Sequence, residues 1–258
     1  MTIPSTWVIR SHARPSAKVK LFCIPYAGGG TPLFRNWAEQ LGPSIEVSAV
    51  QLPGRGTRLG ERPFGSMEDL IPALAESLLD CLDRPFAFYG HSLGALIAFE
   101  TVRALRRMGS SPASALLVGA CQAPQFHSPH APMHGLAEAD FIAEVQSRYN
   151  GMPRQIVEDP ELRALLIPTL RADIQIFETY RYSNEKPLSC PIIAFGGARD
   201  ELVSIPALRA WSDHTADMFR LEMLDGDHFF LNSARRDLLG VIRAKLSSDL
   251  GNLRRAAP

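Results

Sequence analysis

Short apolar, β-favouring runs recur at Val19 to Ile24, Ile45 to Leu52, Phe86 to Tyr89, Ala115 to Val118, Ile192 to Phe195 and Phe219 to Leu224, and helical patterns separate most of them. This alternation predicts a mostly parallel sheet with helices on both faces. One helix is marked by Ser66 as its cap with Asp69 three residues on, followed by a stripe of Leu70, Ile71, Leu74, Leu78 and Leu82. A second is expected from about Leu93 to Met108, stopping near Gly109, with Leu96, Ile97, Ala98, Val102 and Leu105 for packing.

One connection is oversized. About seventy residues separate the Ala115 run from the Ile192 run, where a parallel crossover needs only a dozen or more. The surplus opens with a Pro- and His-rich stretch, Gln125 to Gly135. It continues with two helical patterns, Phe141, Ile142 and Val145, then Leu162, Leu165, Leu166, Leu170, Ile174, Ile176, Phe177 and Tyr180. An apolar insertion of this size above a sheet is expected to form a lid or substrate chamber, the competing reading being an enlarged structural crossover.

Composition narrows the class. The 258 residues carry 27 Lys+Arg and 27 Asp+Glu with 46% hydrophobic content, enough chain for a sizeable core. Zero net charge without a long run of one sign gives no footprint for nucleic acid or an anionic membrane. No apolar run approaches the roughly 18 residues of a bilayer span. The first ten residues lack the basic start and apolar core of a secretory signal, so a soluble, cytoplasmic protein is expected. Cys23, Cys81, Cys121 and Cys190 lie far apart with no Cys-x-x-Cys pair, which predicts buried, reduced thiols.

The chemistry concentrates at Phe86-Ala87-Phe88-Tyr89-Gly90-His91-Ser92-Leu93-Gly94-Ala95, where Gly-x-Ser-x-Gly lies between a strand-like run and a helix. In that context a sharp turn holds Ser92 in a strained conformation, and the missing side chains of Gly90 and Gly94 let strand and helix approach. A serine hydroxyl needs a base within hydrogen-bond reach and a third group to orient that base. Among seven histidines, His228 follows the last strand-like run and precedes the C-terminal helix, so a short loop returns it to the same sheet edge. His91 is expected to point away from the serine, and both it and His214 to be structural or solvated. His127, His130 and His134 are weak metal candidates because Pro129 and Pro132 break any helical face. Asp200, in the loop after Ile192 to Gly197, is the expected acid, with Glu201, Asp225 and Asp227 as competitors; it preserves the order Ser, Asp, His of α/β-hydrolases. The triple glycine Gly28-Gly29-Gly30 has neither phosphate-loop spacing, and reads as the early loop that supplies one oxyanion amide from Tyr26 or Ala27, Leu93 supplying the other.

Pro25-Tyr26-Ala27-Gly28-Gly29, Gln51-Leu52-Pro53-Gly54-Arg55-Gly56, Gly90-His91-Ser92-Leu93-Gly94, Asp200-Glu201 and Gly226-Asp227-His228-Phe229-Phe230 span most of the chain in order. Together they resemble type II thioesterases, the discrete editing enzymes of polyketide synthases and nonribosomal peptide synthetases. The family commonly has glycine where this chain has Asp227. The resemblance implies one α/β-hydrolase domain over residues 1–258 with a helical lid near 125–185, and it favours Ala27 over Tyr26 as oxyanion donor. It implies hydrolysis of acyl thioesters on the phosphopantetheine arm of an acyl or peptidyl carrier protein, with no metal or redox cofactor. Tyr26, Phe177 and Phe229 are candidate substrate-binding residues. A small-molecule carboxylesterase and a noncatalytic hydrolase-like binding module are the alternatives.

Overall fold

The computed structural model describes residues 6–10, 12–126, 130–149 and 152–255, and of residues 248–255 only the helical backbone. The apolar runs form strands buried on both sides: in β2 (Val19–Ile24), Leu21 and Cys23 face one helical layer while Phe22 and Ile24 face the other. Two-sided burial removes any need for polar alternation. With β1 (Val8–Ile9), β3 (Ile45–Val50), β4 (Phe86–His91), β5 (Ala115–Gly119), β6 (Ile192–Gly197) and β7 (Phe219–Leu224), β2 builds a seven-stranded sheet in the order β1-β3-β2-β4-β5-β6-β7. Only β1 runs antiparallel, pairing Val8 with Val50. The expected α/β-hydrolase sheet is therefore present, and β1 is an addition to it. Two residues are too few to display a period, so β1 left no trace in the pattern.

Helices α1 (Trp37–Leu41), α2 (Met67–Leu78) and α3 (Leu93–Arg107) cover the sheet. Ser66 caps α2 by accepting the Asp69 N–H at 3.2 Å, and α3 ends with Ser110 N–H on the Leu105 carbonyl beside Gly109 at φ +79°. The insertion between β5 and β6 contains α4 (Glu138–Tyr149), α5 (Arg154–Glu158) and α6 (Pro160–Thr179), one helix more than its apolar pattern predicts. Met133, Phe141, Ile142, Val145, Ile167 and Ile174 form its own small core. The stripe on α6 divides: Leu165 is exposed while Ile174 and Ile176 are buried in different clusters. Thr169 Oγ1 donates to the Gly54 carbonyl at 2.7 Å and the Tyr180 hydroxyl to Glu100 at 2.6 Å, anchoring α6 to the sheet body. Helices α7 (Ile205–Arg209), α8 (Phe230–Ser233) and α9 (Arg235–Arg255) complete the chain. All four cysteines are buried and unpaired, as their spacing predicts.

Candidate active site

Strand β4 delivers the nucleophile candidate. Ser92 sits between β4 and α3 at φ +53°, ψ −120°, a conformation that costs on the order of 1–3 kcal/mol in a non-glycine residue. Both flanking glycines are sterically required. A Cβ on Gly90 would lie 2.0 Å from the Gly94 carbonyl oxygen, and one on Gly94 would lie 2.4 Å from that of Ile24. The Ser92 N–H donates to the Gly119 carbonyl at 2.7 Å, which fixes the turn against β5.

The loop after β7 brings His228 over this turn. Gly197 makes room for it, since a Cβ there would meet the Asp227 carbonyl oxygen at 2.3 Å. His228 Nε2 stands 3.1 Å from Ser92 Oγ, and Nδ1 stands 3.0 Å from Asp200 Oδ2. The second Asp200 oxygen accepts the Leu202 N–H at 2.9 Å, and the carboxylate is 1% exposed. With Nδ1–H donating to Asp200, Nε2 is left to accept the serine proton. The competing acids lie elsewhere: Asp225 pairs with Arg199, Glu201 is exposed, and Asp227 caps the Phe229 N–H at 2.8 Å. The departure at Asp227 is thus a loop-shaping carboxylate.

His91 has a role that its position in the motif does not announce. It is fully buried, and its Nε2 lies 2.7 Å from the His228 carbonyl oxygen while Nδ1 lies 3.0 Å from the Tyr89 hydroxyl. The carbonyl accepts only a donor, so Nε2 carries the proton and Nδ1 takes the tyrosine O–H. Burial, reinforced by nearby His228, pushes its pKa down to about 3. His214 is buried too, against Trp211, Phe99 and Tyr182, with Nε2 2.6 Å from Gln125 Oε1; burial brings its pKa to about 4 against the opposing pull of Asp213. It is therefore structural and not solvated.

Both folded-state values lie below the roughly 6.5 of an unfolded histidine, so the unfolded chain binds more protons between them. The protection is complete above about pH 6.5 and fades as pH falls through the window down to about 4 for His214 and about 3 for His91. Denaturant titrations from pH 7 to pH 5 should show each histidine steepening the loss by up to about 1.4 kcal/mol per pH unit. His214→Gln should remove one such increment, and an unchanged slope would refute this assignment.

Backbone donors complete the constellation. Among the described residues, neither the Ala27 N–H nor the Leu93 N–H has an acceptor, and both residues line one cavity with Ser92 and His228. That cavity measures about 620 Å³, its far wall formed by Val145, Leu166, Leu170, Ile174 and Phe177 from the insertion. Tyr26 and Phe229 line it as well, their rings 5.1 Å apart, and Phe229 lies 5.3 Å from the His228 ring. Each sequence-predicted site residue thus borders the same space except Asp200, which lies behind His228.

Residues 19–246 match the family model described as a thioesterase domain. The chain belongs to the thioesterase family. A relative of this thioesterase is the gramicidin S biosynthesis protein GrsT of Aneurinibacillus migulanus, 39% identical over 233 residues, which cover 90% of this chain and 91% of that protein. Among solved structures, the type II thioesterase BorB from the borrelidin biosynthetic cluster is 36% identical, with a TM-score of 0.85 over 95% of this chain and 100% of its own. RedJ, a thioesterase of the prodiginine pathway in Streptomyces coelicolor, is 36% identical with a TM-score of 0.83 over 90% and 87%.

The cavity of the thioesterase is also lined by residues that the sequence pattern does not single out. Tyr149 of α4 lines the cavity with its ring 6.0 Å from His228, and Met152 and Ile156 join the same wall. A smaller space of about 50 Å³ reaches Ser92 and His228 from the side of Cys121 and Gln122, and Phe177 borders this space and the large cavity alike. Of the histidines in the Pro-rich stretch, His134 is bonded to Glu178 at 2.6 Å, and His127 lies outside the described residues. No helix among the described residues is long and apolar enough to cross a membrane.

Proposed function

We propose that this thioesterase hydrolyses acyl thioesters carried on the phosphopantetheine arm of an acyl or peptidyl carrier protein, clearing stalled or mis-primed units from a polyketide or nonribosomal peptide assembly line. The observation that carries the reading is the hydrogen-bonded row Ser92, His228 and Asp200 opening into a mostly apolar cavity beside two amides, of Ala27 and Leu93, that have no acceptor among the described residues. Ser92 Oγ attacks the thioester carbonyl as His228 Nε2 takes its proton, and the Ala27 and Leu93 amides hold the oxyanion. Each such amide is worth roughly 2.7–4 kcal/mol in the transition state. Collapse expels the pantetheine thiol, which leaves with the proton from His228; water then attacks the acyl-serine with His228 again as base, and the bond to Ser92 Oγ breaks as His228 returns the proton to it, releasing the acid. Asp200 keeps Nδ1 protonated and stabilises the imidazolium. The residues of the insertion form a lid over the cavity, to which α4, α5 and α6 each contribute lining side chains. A cytoplasmic setting suits the four unpaired thiols.

The large cavity is assigned to the acyl chain and the small side space to the pantetheine thiol, with Phe177 between them. Phe177→Ala should therefore alter the preference among acyl chain lengths. Because Phe177 is only half-buried, its loss should cost less than the roughly 3–5 kcal/mol of a fully enclosed phenylalanine. Melting curves beside a chain-length series separate the outcomes: a full core-sized loss with unaltered preference would reject the assignment. The function itself is tested by comparing kcat/KM for an acyl carrier protein, the matching acyl-pantetheine and the matching simple ester. The carrier-bound thioester should be preferred; equal or better turnover of the ester would point to a carboxylesterase.

A further inference from the structure

The polar contacts between α6 and the loop after β2 go beyond what a chamber wall requires. Asp173 lies on α6 at 2% exposure, between the cavity-lining Leu170 and Ile174, and one face of its carboxylate meets Arg55. Arg55 Nη1 donates to Asp173 Oδ2 and Nη2 to Oδ1, each at 2.7 Å, a two-pronged pair between residues 118 positions apart. The same Oδ2 accepts the Gly28 N–H at 2.7 Å, and Arg55 Nη1 also reaches the Gly29 carbonyl at 3.0 Å. Gly29 N–H closes the turn onto the Tyr26 carbonyl at 2.9 Å, with Gly28 at φ +73°. The Gly28 N–H, the Gly29 N–H and the Gly29 carbonyl are thus each held, while the Ala27 N–H beside them has no acceptor among the described residues.

An ion pair this deeply buried is poor evidence of stabilisation, because desolvating both charges offsets most of their attraction and an apolar pair of like size would serve as well. What an apolar pair cannot do is hold a backbone turn at a set orientation. We infer that Asp173 and Arg55 are positioning residues for the oxyanion turn: through Gly28 and Gly29 they aim the Ala27 amide at the developing oxyanion, and they link that aim to the helix that walls the acyl chamber. The inference rests on the proposed role of Ala27. Neither side chain is assigned contact with the reacting atoms.

The test compares wild type, Asp173→Asn and Arg55→Lys on acyl-pantetheine hydrolysis and on two inhibitors. One is a trifluoromethyl ketone, which forms a tetrahedral oxyanion on a serine; the other is the matching unreactive amide, which only occupies the site. Asp173→Asn should lower kcat by roughly 10²–10³, as loss of an oxyanion donor does, and weaken the trifluoromethyl ketone by a similar factor. KM and the affinity for the amide should stay within about threefold, because ground-state binding is untouched. Arg55→Lys keeps the charge and loses the fork, so a smaller drop in the same two readouts is expected, and it serves as the decisive variant if Asp173→Asn does not fold. A folded variant that binds the ketone as tightly as wild type, or one that loses amide and ketone affinity alike, overturns the inference. Failure of wild type itself to hydrolyse the thioester or bind the ketone would instead strike at the proposed function.

Discussion

Replacing Ser92 with alanine should reduce thioester hydrolysis by roughly 10⁴ to 10⁶ while the protein keeps its melting temperature within a few degrees. The size of the loss follows from dismantling a unit in which nucleophile, base and orienting acid act together. What survives is binding plus the two amides, which still polarise the carbonyl for attack by water. The fold should tolerate the change for local reasons. Ser92 is half-buried at the cavity, its hydroxyl bonds only to His228 among the described residues, and alanine carries the same Cβ at φ +53°, so no new strain arises. The Ser92 N–H bond to Gly119 that fixes the turn belongs to the backbone and remains. Mass spectrometry after treatment with a serine-directed fluorophosphonate should show one adduct on wild type and none on the variant. Near-normal turnover by a folded Ser92→Ala protein would remove Ser92 from the role assigned to it.

Asp200→Asn should cost on the order of 10⁴ in kcat, through the tautomer of His228 and not through lost charge alone. The neighbouring bonds explain why. Oδ1 of Asp200 accepts the Leu202 N–H at 2.9 Å, so an asparagine keeps its amide oxygen there and turns its NH₂ toward His228 Nδ1. That NH₂ requires Nδ1 to accept, which moves the ring proton to Nε2, the atom that must receive the proton of Ser92. Glu201→Gln is the control: Glu201 is exposed, and its change should leave kcat within about threefold, as for a surface substitution. A 10⁴-fold loss from Glu201→Gln with an active Asp200→Asn would exchange the two assignments.

Signals that are local in sequence were legible, and those created by folding were not. The Gly90-x-Ser92-x-Gly94 turn announces itself because strand, turn and helix are contiguous, and the same holds for the Ser66 cap and the stop at Gly109. Asp200 and His228 were legible because each follows an apolar run that becomes β6 or β7, and parallel strands present their following loops at one edge. The sequence places His91 away from Ser92, yet its target, the His228 carbonyl, is 137 residues distant and invisible to any window. Arg55 and Asp173 were hidden for the same reason, one in a loop motif without an evident task and the other inside an apolar helical stripe. The division of α6 between two cores also needed the fold, since a single helical period cannot say what lies opposite each face.

On the proposed mechanism an acyl group leaves a carrier protein through a covalent bond to Ser92. Carrier protein loaded with an acyl-phosphopantetheine arm, mixed with excess enzyme and quenched in acid at millisecond intervals, can be followed by intact mass for both proteins at once. The carrier should lose the acyl mass as the wild-type enzyme transiently gains it on the peptide containing Ser92, and neither change should occur with Ser92→Ala. Unloading of the carrier by Ser92→Ala at the wild-type rate, or a carrier that stays loaded while simple esters are consumed, would contradict the account.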